Sequence, residues 1–213
     1  KEKFVLVSTG TWSITFNPFT QNPISADLND IESINYMRIN GKPVKASRLF
    51  LGNEYKLQIQ NLCNHFDVEQ DYHKSVKFNH DIYDKLNSNF THCYKWESLE
   101  DKNAPSKTIF EFEDFDHAYH QLMAELVLLQ IKSIKKAIGK DSIDQLYADG
   151  GFSDNDLYIK LLGYHFPEKE LRTTDASLGS ALGAAIAISD TKLNSKFLKK
   201  NYALKKHIPF IAT

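Results

Sequence analysis

LYADGGFSDNDLYIKLLGYHFPEKELRTTDASLGSALGAAIAI, residues 146–188, decides the fold. Leu146, Tyr147 and Ala148 form a short apolar run with a β-prone aromatic, as in a buried strand. Asp149-Gly150-Gly151 ends it. Two adjacent glycines permit positive φ and leave no Cβ in the path of a ligand. Ser153 and Asp154 are both good caps for a helix over 154–162, carried by Leu157, Tyr158, Leu161 and Leu162. A second extended run, 170–173, follows Gly163. Asp175 or Ser177 then starts a helix rich in small residues over 176–189. The order strand, helix, strand, helix predicts parallel strands covered by helices. A helix that follows a bare glycine turn presents its first N–H groups unpaired, which suits anions and planar ligands.

The N-terminal segment supplies a second candidate. Phe4 to Val7 is a continuous apolar run, and 12–16 alternates apolar with small polar residues. The pair predicts a hairpin, 4–8 with 11–16, turning at Gly10. Hydroxyls and a glycine at such a tip can donate to a phosphate. With residues 146–173, this hairpin predicts a mixed sheet covered by helices.

The rest of the chain is read more coarsely. Residues 17–33 are polar and turn-rich. Asn40-Gly41 between 34–39 and 42–46 predicts a type I′ hairpin. Tyr55, Ile59, Leu62 and Phe66 stand at helical spacing behind a cap at Asn53, predicting a helix over 53–66. A long helix is predicted over 115–138, stopped by Gly139. Residues 67–112 hold only short amphipathic pieces. Cys63 and Cys93 with His65, His73, His80 and His92 lack the spacing of a structural zinc site, so no zinc is expected. The expected division is one domain over 1–190 and a lysine-rich tail over 191–213.

A hydrophobic fraction of 42% over 213 residues supports a real core. A formal net charge of -1 gives no basic face for nucleic acid. No run is long and apolar enough to span a bilayer. Two cysteines make no disulfide framework, so a reducing cytoplasm is expected.

Asp149-Gly150-Gly151-Phe152-Ser153-Asp154-Asn155, followed by Leu182-Gly183-Ala184-Ala185, resembles the C-terminal half of the FGGY family of carbohydrate kinases. Those enzymes belong to the actin-like, ribonuclease-H-fold ATPases (the ASKHA group). The resemblance implies that Gly150 and Gly151 line an adenosine pocket, with Asn155 beside the adenine. Ser8-Thr9-Gly10-Thr11-Trp12-Ser13 is similar to the family's second phosphate loop, with Gly10 and Thr11 at its core. The Gly-Thr-Trp-Ser form is most similar to the rhamnulose-kinase branch.

By the same resemblance, ATP and Mg²⁺ are the expected cofactors, and a ketose or deoxy-ketose the expected acceptor. The family's first phosphate loop and its catalytic Asp lie upstream of the second loop. Neither has a counterpart here, so no catalytic residue is assigned. The chain looks like the nucleotide-side lobe of a longer enzyme and is expected to be inactive alone. Two alternatives stay open: a non-catalytic ASKHA-fold binding or sensor module, and an unrelated α/β domain in which Gly150-Gly151 is only a turn. The last fails if the Gly10 tip and the glycine turn meet at one cleft.

Overall fold

A computed structural model of the chain describes residues 2–21, 32–99, 108–174, 183–184, 188 and 204–209. Its described strands form one seven-stranded sheet, ordered β3-β4-β2-β1-β5-β6-β7. Strands β1 (Phe4–Thr9) and β2 (Ser13–Asn17) form the predicted antiparallel hairpin, with Leu6 opposite Phe16 and Thr9 opposite Ser13. Strand β5 (Gln145–Gly150) runs parallel to β1 along its whole length, from Phe4 opposite Gln145 to Thr9 opposite Gly150. Strand β6 (Glu170–Thr174) continues the parallel layer beside β5. On the other flank, β3 (Ser33–Met37) and β4 (Pro43–Leu49) add antiparallel strands next to β2.

The turn between β3 and β4 is not type I′. Among the described residues Gly41 has φ +78°, but Asn40 is not in the positive-φ region that type I′ requires. The Gly41 N–H bonds to the Arg38 carbonyl instead, and Lys42 O accepts from Arg38 N. That is a four-residue turn followed by one left-handed glycine.

Helix α3 (Phe115–Ile138) is the central pillar. Leu122, Met123, Leu126, Val127 and Ile134 on it are almost wholly buried. It packs on β1, β2 and β4, and helices α1 (Leu51–Phe66) and α4 (Asp156–His165) both pack on it. Val5 and Val7 of β1 with Leu146 and Ala148 of β5 supply the sheet side of this core. A buried polar seam runs between sheet and helix. Ser13 Oγ donates to Gln130 Oε1, Gln130 Nε2 to Thr15 Oγ1, and Ser133 Oγ to Ser47 Oγ. These pairs satisfy groups that would otherwise be costly to bury. Asp114 caps α3 through His117 N, and Gly139 (φ +59°) ends it, as predicted.

Three expectations need correction. Helix α1 starts at Leu51 and is not capped by Asn53. Phe50 stands at its N-cap without a side-chain bond, and the N–H groups of Gly52 and Asn53 bond to Thr11 O. Helix α4 starts later than 154, is capped by Asn155, and runs through Gly163 to His165. In the lysine-rich C-terminal segment, Leu204–His207 is a strand, β7, antiparallel to β6. The helix predicted over 176–189 lies mostly outside the described residues; Gly183, Ala184 and Ile188 within it are helical.

Within 67–112, α2 (His80–Ser88) is capped by Asn79, whose side chain accepts from Asp81 N and Ile82 N. Cys63 and Cys93 are buried free thiols.

Candidate functional site: a cavity beside the glycine turn

The β1–β2 hairpin tip and the Gly150-Gly151 turn lie side by side at the carboxyl ends of two parallel strands. Thr9 joins them. Its hydroxyl donates to the Asp149 carbonyl at 2.6 Å and accepts from Phe152 N at 3.0 Å. Its carbonyl accepts from Gly151 N at 2.9 Å. Thr9 is 4% exposed, so each bond is sheltered from water. The sequence reading passed over Thr9, although it sits inside the quoted motif. Only the pairing of β1 with β5 gives it its partners.

The two glycines of the turn have different jobs. Gly150 has φ +88°, and a Cβ there would stand 1.9 Å from the Thr9 carbonyl oxygen. Its lack of a side chain is a demand of the fold. A Cβ on exposed Gly151 would meet nothing within 4 Å. Gly10 is equally unconstrained: the nearest atom to its hypothetical Cβ is Trp12 O at 3.8 Å. Gly52, by contrast, is pressed on the hairpin tip, where a Cβ would come within 2.0 Å of Gly10 O. Glycine at 52 and 150 therefore builds the site, while glycine at 10 and 151 leaves room in front of it.

A cavity of about 410 Å³ opens beside the turn. Gly151, Phe152 and Asn155 line it together with Tyr55, His73 and Val76. Lys74, Lys77, Asp154 and Asp156 also line it. Of the five predicted site residues, Gly151 and Asn155 line this cavity. Gly150 is tucked behind Gly151, and exposed Gly10 and Thr11 stand at the adjoining hairpin tip, outside it.

Asn155 is held in place from both ends of its amide. Its Oδ1 accepts from Tyr158 N at 3.0 Å, capping α4, and its Nδ2 donates to Tyr119 Oη at 2.8 Å. Tyr119 Oη in turn lies 3.0 Å from Tyr55 Oη. Burial raises both phenols above the ordinary tyrosine range, so they stay neutral hydrogen-bonding groups. Burial also lowers the pKa of His73.

The site suits a nucleoside better than a metal. Its lining joins the Tyr55, Phe152 and His73 rings with charged side chains and the bare backbone of Gly151, a cradle that a side chain at 151 would fill. Among the described residues no group of three or more His, Cys, Asp or Glu is assembled. No helix among the described residues is long and apolar enough to cross a membrane.

No protein-family model matches the sequence, and no curated protein matches it. Solved structures do match in fold. A carbohydrate kinase from Novosphingobium aromaticivorans superposes with a TM-score of 0.70 at 17% identity, over 98% of this chain and 43% of that one. Xylulose kinase from Rhodospirillum rubrum gives 0.67 at 12% identity, over 99% and 43%. Plasmodium falciparum glycerol kinase with ADP gives 0.56 at 16% identity, over 92% and 40%. The chain therefore has the actin-like fold of the C-terminal domain of sugar kinases, with its mixed seven-stranded sheet. It spans less than half the length of these structures.

Proposed function

We propose that this chain is the ATP-binding lobe of a carbohydrate kinase of the FGGY type. One observation carries the reading: Thr9 bonds the Gly10-Thr11 tip to the Gly150-Gly151 turn, beside a nucleoside-sized cavity. An unrelated domain with an incidental glycine pair has no reason to bring these motifs together. In this reading the adenosine enters along Gly151. The phosphates, carrying Mg²⁺, reach the tip, where Gly10 and Thr11 are exposed and their backbone can approach closely. The acceptor is a sugar hydroxyl, of a ketose or deoxy-ketose, and the Gly-Thr-Trp-Ser tip favours the rhamnulose-kinase-like branch. Phosphoryl transfer also needs a carboxylate base and a first phosphate loop from the other lobe. These 213 residues alone are expected to bind ATP weakly and to transfer nothing.

Steady-state kinetics of the full-length protein across a panel of ketoses tests the proposal. Gly151→Val places a branched side chain in the cavity without touching the fold, because the position is open. It is expected to raise the KM for ATP at least tenfold and leave the sugar KM within about twofold. Thr11→Ala is expected to lower kcat, since a donor at the transferring phosphate matters most as charge moves there. ATP-dependent sugar phosphorylation that neither variant alters would put the site elsewhere. Tight ATP binding with no turnover on any sugar would favour a non-catalytic sensor.

A further inference from the structure

We infer that Tyr55 is the platform for the base in this cavity, and that Asn155 positions it through Tyr119. The inference rests on the nucleotide-binding reading given above.

Asn155 has both side-chain polar atoms bonded within the protein, its oxygen capping α4 and its nitrogen donating to Tyr119, which leaves one lone pair and one N–H. Recognition of a planar base passes to the rings around it. Tyr55 is the lining ring that Asn155 reaches through Tyr119. Its hydroxyl is anchored 3.0 Å from that of Tyr119, which is itself held by Asn155. Its ring meets Phe152 edge-to-face at 4.9 Å and 65°, and His73 at 5.8 Å and 81°. A ring fixed at its tip and braced by two neighbouring rings loses little freedom when a base packs on it, which is what preorganised stacking requires. Tyr55 sits on α1, whose second residue, Gly52, lies against the Gly10-Thr11 tip. The base platform and the phosphate tip are therefore one rigid piece.

The test uses the full-length protein, with calorimetric titration of ADP and of inorganic tripolyphosphate, which has no base. Tyr55→Leu keeps apolar bulk and removes the aromatic face. It is expected to weaken ADP at least tenfold and leave tripolyphosphate unchanged. Tyr55→Phe keeps the face and is expected to hold ADP within about threefold. Asn155→Asp keeps the cap oxygen and removes the donor to Tyr119. It is expected to weaken ADP by a few-fold, and by nothing further once Tyr55 is already Leu.

In wild-type protein with ADP bound, nuclear Overhauser contacts should join adenine H2 or H8 to the Tyr55 ring. That measurement stands even if a variant does not fold. Wild-type ADP binding without those contacts overturns the inference alone. So does a Tyr55→Leu protein that loses ADP and tripolyphosphate equally, or neither. Wild-type protein that binds no ATP or ADP overturns the nucleotide reading itself.

Discussion

Gly150 and Gly151 are identical in sequence and opposite in consequence. At Gly150 positive φ and the Thr9 carbonyl at 1.9 Å exclude any Cβ, so Gly150→Ala must shift the β1–β5 register locally. A loss of roughly 2–4 kcal/mol is expected, read as a lower urea midpoint at unchanged m. Gly151→Ala should leave that midpoint unchanged, because its Cβ meets nothing. Thr9→Val tests the stitch between the motifs: it removes the donor to Asp149 O and the acceptor for Phe152 N while keeping the shape. With a buried N–H left unpaired, a loss of about 1–3 kcal/mol is expected. Both glycines were legible as a motif. Which one the fold needs was not, because the difference lies in a contact with a residue about 140 positions away.

Helix existence was legible, and helix starts were less so. Ser153, Asp154 and Asn155 are all competent caps, and local sequence does not rank them. The structure does. Ser153 Oγ turns back to the Gly150 carbonyl at 2.7 Å, Asp154 stays exposed, and Asn155 takes the cap. Asn155→Ala is therefore expected to cost about 1–3 kcal/mol, since cap and Tyr119 bond go together. Asp154→Ala should cost almost nothing; equal losses from the two in thermal melts would reverse the assignment of the cap. Gly163 read as a stop because glycine usually punctuates a helix. It is instead buried within α4, where a Cβ would stand 3.6 Å from Pro209 Cα. Strand β7 was hidden by its lysines. Lysines on an edge strand discourage further pairing, so an edge strand reads like solvated chain. Lys206 in β7 nonetheless pairs with Glu170 in β6, which also holds Arg172.

At the scale of the molecule, the site exists because β1 and β5 run parallel across a long crossover, and alternating patterns already implied that layer. The segment 67–112 was opaque for the opposite reason. Buried acids on other helices hold it: Glu54 accepts from Glu97 N and Ser98 N, and Glu125 from Cys93 N. Such anchors leave no local pattern. Glu125 and the buried histidines do leave a pH signature. His120 is 1% exposed; it donates from Nδ1 to Asp116 O and accepts Asn79 N at Nε2, so it is held neutral. Burial lowers its pKa, and those of His73, His165 and His207. A lowered histidine contributes stability that is present above about pH 6.5 and lost as pH falls through its folded value. Burial raises Glu125, whose contribution has the opposite sign: it is present below the ordinary carboxylate range and lost as pH rises. With four histidines against one glutamate, stability should fall between pH 7.5 and 5.5. His120→Gln keeps an acceptor for Asn79 N but cannot titrate. It should remove about 1 kcal/mol of that fall. Urea unfolding of both proteins at the two pH values decides it: equal falls in both would mean that His120 is not the group that titrates.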